Sequence, residues 1–558
     1  MNDRNTKQRF FANINRFAAY LGASTGFVRY GTAFLTGLSV TFSLPPFEFL
    51  PVFYAALPVL IWSLSGQVRP WCLFATGWWF GFGYFVSGLY WIGSAMLVDA
   101  NENAWLFPLA SLGLPAFLSL FFGLSVLPVR FGNDHFSRAL ILTISLGSAE
   151  WIRGNFLTGF PWNLLGQAWA SHDTLLQGVS LVGIYGMTFF ALLSGFLLSV
   201  LAQERSRAAL AGVVVALMLP FSFASYGVIR LAQAPVVGAD WVEGVGIRLV
   251  QGGIPQKEKW DRKYLVRNFK KYLFLSNRDR PDWINHVIWP ETASPFPLDN
   301  NDAARAAASA IVPRGGALIT GMIRRQVVPE KKIWNSIIAL DEEAKILAKY
   351  DKAHLVPFGE YIPGKKLLSI KKITEGRLDY SAGSGPRTWH LKSLPPVSPL
   401  ICYEVIFPGT VTSLDKRPTW ILVLTNDAWY GHSSGPYQHL SIARIRAVEE
   451  GLTVVRAAST GISAVFDGYG REWSRIELDK TGVLDTRLPN SSRVYSFWAQ
   501  NSQISTIIVA LLGFLVLFMR RGITRTFPHP KIKEKKKKPK SYCAKLCQKA
   551  SSKLRKVV

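Results

Sequence analysis

The chain of 558 residues is 49% hydrophobic and only 18% charged. Soluble domains carry about 25% charge, so this composition argues against an ordinary soluble protein and for a large membrane-associated one of several parts. The net charge of +27 does not mark a nucleic-acid partner: about half of it sits in residues 520–558, where fifteen basic residues, among them Arg520, Arg521, Arg525 and Arg555, face Glu534 alone, and no basic groove interleaved with aromatics accompanies them.

Residues 1–29 are polar to mixed, with Arg4, Lys7, Arg9 and Arg16, and no small-residue cleavage site follows, so no cleaved signal peptide is expected. Seven apolar blocks come next, at 30–45, 48–66, 71–98, 105–129, 137–154, 174–203 and 207–229. Most reach the length of about 20 residues that a membrane span needs. The first and fifth are the weakest, and the fifth carries Glu150 and Arg153, which invites a break before Trp162. Those two residues are three apart and share a helical face, so a structural ion pair is preferred over a polar lining for a lipid head group.

Loop charge sets the orientation. Arg69, Arg130, Arg138, Arg205 and Arg207 occupy loops on the side of the N-terminus, whereas the alternate loops hold Glu48, Asp99 and Glu102. The positive-inside rule therefore places residues 1–29 in the cytoplasm and the chain after 229 outside. An eighth block at 504–519, with Trp498 as its outer anchor, returns the chain, and the basic tail 520–558 is again inside.

Residues 245–497 have another texture. Strand-like runs lie at 245–251, 285–289, 317–322, 337–340, 346–350, 398–402, 420–425, 453–457 and 462–466, with helical stretches at 257–278, 302–312 and 436–451. Such alternation predicts one α/β domain. Three chemically apt residues fall at its strand ends. Glu291 follows 285–289, where partial desolvation raises a carboxyl pKa and suits a general base. Lys352 follows 346–350 and is a cation able to stabilise an oxyanion. Cys402 closes 398–402 and is the only cysteine between Cys72 and Cys543, a free thiol suited to nucleophilic attack. No metal site is expected. Cys543 and Cys547 lack a nearby histidine, and His432 and His439 are read as structural or substrate-lining.

Five segments in order carry a resemblance. They are Val250-Gln251-Gly252-Gly253-Ile254-Pro255-Gln256 with Lys259-Trp260; Trp289-Pro290-Glu291; Asp351-Lys352 through Val356-Pro357-Phe358-Gly359-Glu360-Tyr361-Ile362-Pro363; Ile401-Cys402-Tyr403-Glu404; and Thr425-Asn426-Asp427-Ala428-Trp429-Tyr430-Gly431 leading to Gln438-His439. Together with the layout of seven spans before the α/β domain and one after, the chain resembles the nitrilase superfamily and, within it, the apolipoprotein N-acyltransferase family.

The resemblance implies a multi-span α-helical membrane domain (30–229) joined to a nitrilase-like αββα sandwich (245–497) on the periplasmic side of a bacterial inner membrane. It implies no cofactor. It implies that Cys402 takes the sn-1 acyl chain of a phospholipid, of the phosphatidylethanolamine kind, as a thioester, and passes it to the α-amino group of a diacylglyceryl-cysteine at a lipoprotein N-terminus. Glu291 would be the base and Lys352 the oxyanion cation. Glu360 would position or polarise that site, Tyr403 and Glu404 would shape it behind the nucleophile, and Trp260 would contact substrate. The backbone N–H of Tyr403 is a natural second oxyanion donor. Trp78-Trp79-Phe80 and Phe296 are candidates for a lipid entry, although ordinary packing is the preferred reading for each. The family's Asn-rich turn before a late strand is replaced by Ala458-Ser459-Thr460-Gly461, which puts one supporting backbone hydrogen bond in question. Two other readings compete: a membrane-anchored amidase acting on a small C–N compound, and a non-catalytic membrane scaffold.

Overall fold

Helices fill the apolar blocks of the N-terminal half. The computed structural model describes residues 2–67, 69–203, 206–364, 378–413, 415–491 and 496–501; the predicted span 504–519, the tail 520–558, Cys543 and Cys547 lie outside them. Among the described residues, Pro70–Leu97, Ala100–Phe131, Val179–Ala202 and Arg207–Ala232 are long and apolar enough to cross a membrane, and Leu50–Leu64 is a shorter apolar helix. Gly26–Val40 and His135–Asn155 cover the two blocks read as weakest.

The fifth block does not break where Glu150 and Arg153 stand. His135–Asn155 is one helix, started by the Asp134 carboxylate, which accepts from the Ser137 N–H at 2.7 Å. The N-terminal segment is also helical over Asn2–Ala23, with Ala18 and Leu21 packed on Trp62. Two glycines set a close helix crossing. A Cβ on Gly37 would lie 1.9 Å from the Phe80 carbonyl, and one on Gly83 would lie 2.0 Å from the Phe34 carbonyl. Gly26–Val40 and Pro70–Leu89 therefore meet backbone to backbone, as small residues allow in helices packed within a bilayer.

The α/β domain holds two sheets. Its strands are β1 (Trp241–Gln251), β2 (His286–Ile288), β3 (Ala317–Gln326), β4 (Lys332–Leu340), β5 (Ile346–Asp351), β6 (Val397–Ile401), β7 (Trp420–Thr425), β8 (Thr453–Ala458), β9 (Ser463–Phe466), β10 (Glu472–Ile476) and β11 (Gly482–Pro489). One sheet runs β11-β1-β2-β3-β4-β5 and the other β10-β9-β8-β7-β6. Sequence reading missed β10 and β11, whose Glu472, Arg475, Asp485 and Arg487 hide the apolar alternation that marks the other strands.

Alternate residues face alternate sides of a strand, and this sorts the core into layers. Ile247, Leu249, Ile288, Ile319 and Ile337 of the first sheet meet Val397, Ile401, Leu422, Leu424 and Val455 of the second. On the outer side of the first sheet, Val250, Val287 and Leu318 pack against Phe269, Tyr272 and Ala308 of the helices Leu265–Asn277 and Asp302–Ser309. On the outer side of the second, Leu400, Ile421, Val423 and Val454 pack against Ile442, Ala443 and Ile445 of the helix Gly435–Glu450. That helix shares one continuous core with Trp162, Ile184 and Met187 of the helical domain. An αββα sandwich thus meets the helical domain through its own outer helix.

Candidate active site

Strand direction collects the chemistry at one edge of each sheet. In the first, β1, β2 and β3 are parallel, and β5 follows two antiparallel pairings, so it runs with β3. The segments after β2 and β5 therefore leave from the same edge, and they carry Glu291 and Lys352. In the second sheet β6, β7 and β8 are parallel, with Ile401, Leu424 and Ala457 in register. Cys402 leaves β6, Asp427 leaves β7 and Ser459 leaves β8 from a common edge.

Cys402 does not extend its strand, as 398–402 predicted. β6 stops at Ile401, and Cys402 opens the tight turn Cys402–Ile406 with φ at 51°. That left-handed conformation is costly for a residue with a Cβ and persists only where neighbours enforce it. Glu404 is one enforcer: its carboxylate accepts from Ile401 N–H at 2.7 Å, Tyr350 O–H at 2.6 Å and Ala353 N–H at 2.8 Å. A single buried side chain thereby ties the strand before Cys402 to the segment bearing Lys352. Tyr403 is buried, and its hydroxyl donates to the Gly159 carbonyl of the helical domain at 3.2 Å.

Glu291, Asn335, Glu360 and Lys352 form one connected cluster. Asn335 on β4 donates to Glu291 Oε1 at 2.7 Å and to Glu360 Oε1 at 3.2 Å. Lys352 Nζ donates to Glu360 at 3.0 Å, and the other Glu360 oxygen accepts from Val356 N–H at 2.8 Å. Burial, followed by the Glu291 charge, pushes the Cys402 thiol up to about 12, with Lys352 partly offsetting both. Burial also raises Glu291, and Glu360 adds to this, while Lys352 and Lys259 oppose it. Lys352 is discharged by burial but recharged by Glu360 and Glu291, which hold it above the usual lysine range. The Cys402 thiol therefore rests protonated, beside Glu291 and the charged Lys352. A free thiolate is unfavourable there, so a proton acceptor would have to take the thiol proton as Cys402 reacts.

Residues to which the motifs assigned no catalytic role complete the cluster. Lys259, at the end of the turn Gln256–Lys259, is buried and donates to the Glu291 carbonyl at 3.1 Å. Burial brings it down to about 8. Trp260 follows it, half-buried. Beneath Cys402, Asp427 accepts from Thr425 at 2.9 Å and from Arg456 at 2.6 Å, and lies 3.0 Å from His439 Nδ1. Burial opposes ionisation of Asp427, but Arg456 and His439 outweigh it and hold the carboxyl well below its usual range. Cys402, Asp427 and His439 offer ligand atoms within 4.8 Å of one another, yet the Arg456 guanidinium already supplies the cation that Asp427 faces, so the donor set does not fit a metal. The sequence signal available for this group was Arg456, a charge inside the otherwise apolar run of β8.

Other expectations resolve locally. Phe80 is fully buried in the core, and Phe296 is half-buried, packed edge-on against Phe269 at the core's margin. In place of the Asn-rich turn, the Ser459 backbone supplies the support, donating to the Thr425 carbonyl at 3.1 Å and accepting from Gly253 N–H at 2.9 Å. Glycine is required at 461, where a Cβ would lie 2.4 Å from the Asp427 carboxylate.

Comparison with known proteins agrees with this fold. Residues 36–197 match the apolipoprotein N-acyltransferase N-terminal domain, and residues 247–495 match the carbon-nitrogen hydrolase family. The apolipoprotein N-acyltransferase of Rhodopseudomonas palustris is 38% identical over 530 residues, spanning 91% of this chain and 98% of its own length. The chain belongs to the apolipoprotein N-acyltransferase family. The Brucella melitensis apolipoprotein N-acyltransferase is 36% identical over 91% of this chain and 99% of its own. A solved amidase of the nitrilase superfamily from Nesterenkonia AN1 is 21% identical, covering 48% of this chain and 96% of its own, with a TM-score of 0.35. Family membership and the four span-length apolar helices mark a membrane protein with a nitrilase-like domain.

Proposed function

We propose that this protein is the acyltransferase its relatives are named for, moving a phospholipid acyl chain through a thioester on Cys402 to the α-amino group of a lipoprotein's diacylglyceryl-cysteine. The observation that carries the reading is the closed cluster of Glu291, Asn335, Glu360 and Lys352 set electrostatically against the buried Cys402 thiol. In the first half-reaction Glu291 takes the thiol proton as Sγ bonds to the sn-1 ester carbon. Lys352 and the Tyr403 N–H stabilise the oxyanion. The C–O bond breaks, and Glu291 returns the proton to the departing lysophospholipid alkoxide. In the second half-reaction the acceptor amine bonds to the thioester carbon, the C–S bond breaks, and the amine proton passes through Glu291 to the thiolate. Glu360 fixes Lys352, Tyr403 and Glu404 shape the nucleophile's turn, and Trp260 borders the substrate.

A thioester held between two lipid substrates must be kept from water. The burial of Cys402 and the contact of its turn with the helical domain support that need. Loop charges support an N-terminus in the cytoplasm, seven spans before the α/β domain, and a catalytic domain on the periplasmic face of a bacterial inner membrane. Purified protein incubated with phosphatidylethanolamine should gain the mass of one acyl chain on Cys402, and Cys402→Ala should gain none and transfer none. Hydrolysis of small amides without an adduct would replace this reading with that of a membrane-anchored amidase.

A further inference from the structure

The network of Asp427, His439 and Arg456 is buried beneath the nucleophile. A charged network sealed from water is costly unless its bonds are well satisfied. Here its outlet is the nucleophile itself. His439 Nε2 lies 3.3 Å from the Cys402 carbonyl oxygen. A carbonyl only accepts, so the nitrogen that bonds it must carry the proton, in the neutral or the charged ring alike. Nε2 therefore has no lone pair free for the Cys402 thiol, and His439 is not arranged as the base of a cysteine–histidine pair.

We propose that His439, locked by Asp427 and Arg456, is a positioning residue that grips the Cys402 carbonyl and holds the nucleophile in its left-handed turn. The proposal rests on the reading that Cys402 is the acyl carrier. Glu404 secures the N–H just before the turn, and His439 secures the carbonyl of the turn residue itself. The two together enforce the φ of 51° that aims the thiol at the Glu291 and Lys352 cluster.

The helical domain is part of this clamp. Gln438, next to His439 on the helix Gly435–Glu450, accepts from Trp91 Nε1 at 3.1 Å and from Trp162 Nε1 at 2.8 Å. The rings of Trp162 and Tyr430 lie 5.4 Å and 5.9 Å from the imidazole. The imidazole is thus walled by neutral aromatics, and Asp427 and Arg456 are the charged groups that bond it.

The test compares full-length His439→Gln, His439→Asn and His439→Leu with the wild type. Glutamine places an N–H near the position of Nε2, whereas asparagine reaches only that of Nδ1. Two rates are read at Cys402 by peptide mass: single-turnover acylation from phosphatidylethanolamine vesicles, and alkylation by iodoacetamide. His439→Leu and His439→Asn should slow both about a hundredfold, the loss expected for a displaced reacting group. His439→Gln should stay within about tenfold of wild type, and all should keep the wild-type lipid concentration at half-saturation and the wild-type fall in rate at low pH, the acid limb. A leucine variant that reacts like wild type would overturn the proposal. So would a glutamine variant no faster than asparagine, or an acid limb lost with the imidazole, which would make His439 the base. If leucine abolishes folding, the glutamine and asparagine pair decides. If the wild type takes no acyl group, the acyl-carrier reading fails, while the alkylation rates still test the clamp.

Discussion

Two buried ion pairs of similar length do different work. In the helical domain Arg153 and Glu150 meet at 2.9 Å, and in the α/β domain Lys352 and Glu360 meet at 3.0 Å. Arg153 spends further donors on the Phe160 and Trp162 carbonyls, and the second Glu150 oxygen accepts from Leu165 N–H at 3.0 Å. That pair is saturated, and its product is a fixed loop carrying Trp162. Lys352, by contrast, bonds Glu360 while its charge also acts on Glu291 and Cys402. In the proposed mechanism a buried cation held by Glu360 also meets charge that appears only during reaction. On the proposed mechanism, saturation more than burial separates a structural pair from a reactive one.

The contrast breaks most sharply at Lys352. Lys352→Met should slow single-turnover acylation of Cys402 by about a thousandfold, the scale of a lost oxyanion donor. A rate within tenfold of wild type would make Lys352 another structural cation. Glu291→Gln should cost about a hundredfold or more through loss of the base, measured in the same assay. A full rate there would point to another proton acceptor. Arg153→Met should behave in the opposite way. Stranding the buried Glu150 should cost about 3–5 kcal/mol of stability, read as a lower denaturant midpoint, while the rate per folded molecule stays within a few-fold. A rate that collapses in the protein remaining folded would show that Arg153 serves the chemistry directly.

Much of this contrast was legible in the sequence. Glu291, Lys352 and Cys402 each follow an apolar run, so strand ends announced them. Glu150 and Arg153 announced themselves by helical spacing inside an apolar block. Asn335 did not, because it lies within β4 and nothing local distinguishes it from a strand residue facing polar surroundings. Only the sheet order brings it between Glu291 and Glu360. The left-handed turn at Cys402 was equally hidden: the run up to Ile401 continues smoothly into an apolar thiol, and the carboxylate that bends the chain comes two residues later, at Glu404. Strands β10 and β11 were lost for a simpler reason, since their exposed faces carry charge.

The finest test of the contrast uses Lys259, the second cation beside Glu291. Burial brings its pKa down to about 8, so the amine is charged at neutral pH and neutral well above it. In the proposed mechanism Glu291 works as a base only when ionised. Acylation should therefore fall as pH drops through the Glu291 pKa, a limb displaced above the ordinary carboxylate range by burial. A nearby positive charge favours the ionised carboxylate, and Lys259 is one of the groups holding Glu291 down. Lys259→Met removes that charge, so the Glu291 pKa rises and the acid limb should move to higher pH, while the plateau rate changes little. Lys259→Arg keeps the charge and should leave the limb near its wild-type place. A limb that stays fixed in the methionine variant, or moves to lower pH, would mean that Lys259 serves only to anchor the Glu291 carbonyl, and would rank it with Arg153 rather than with Lys352.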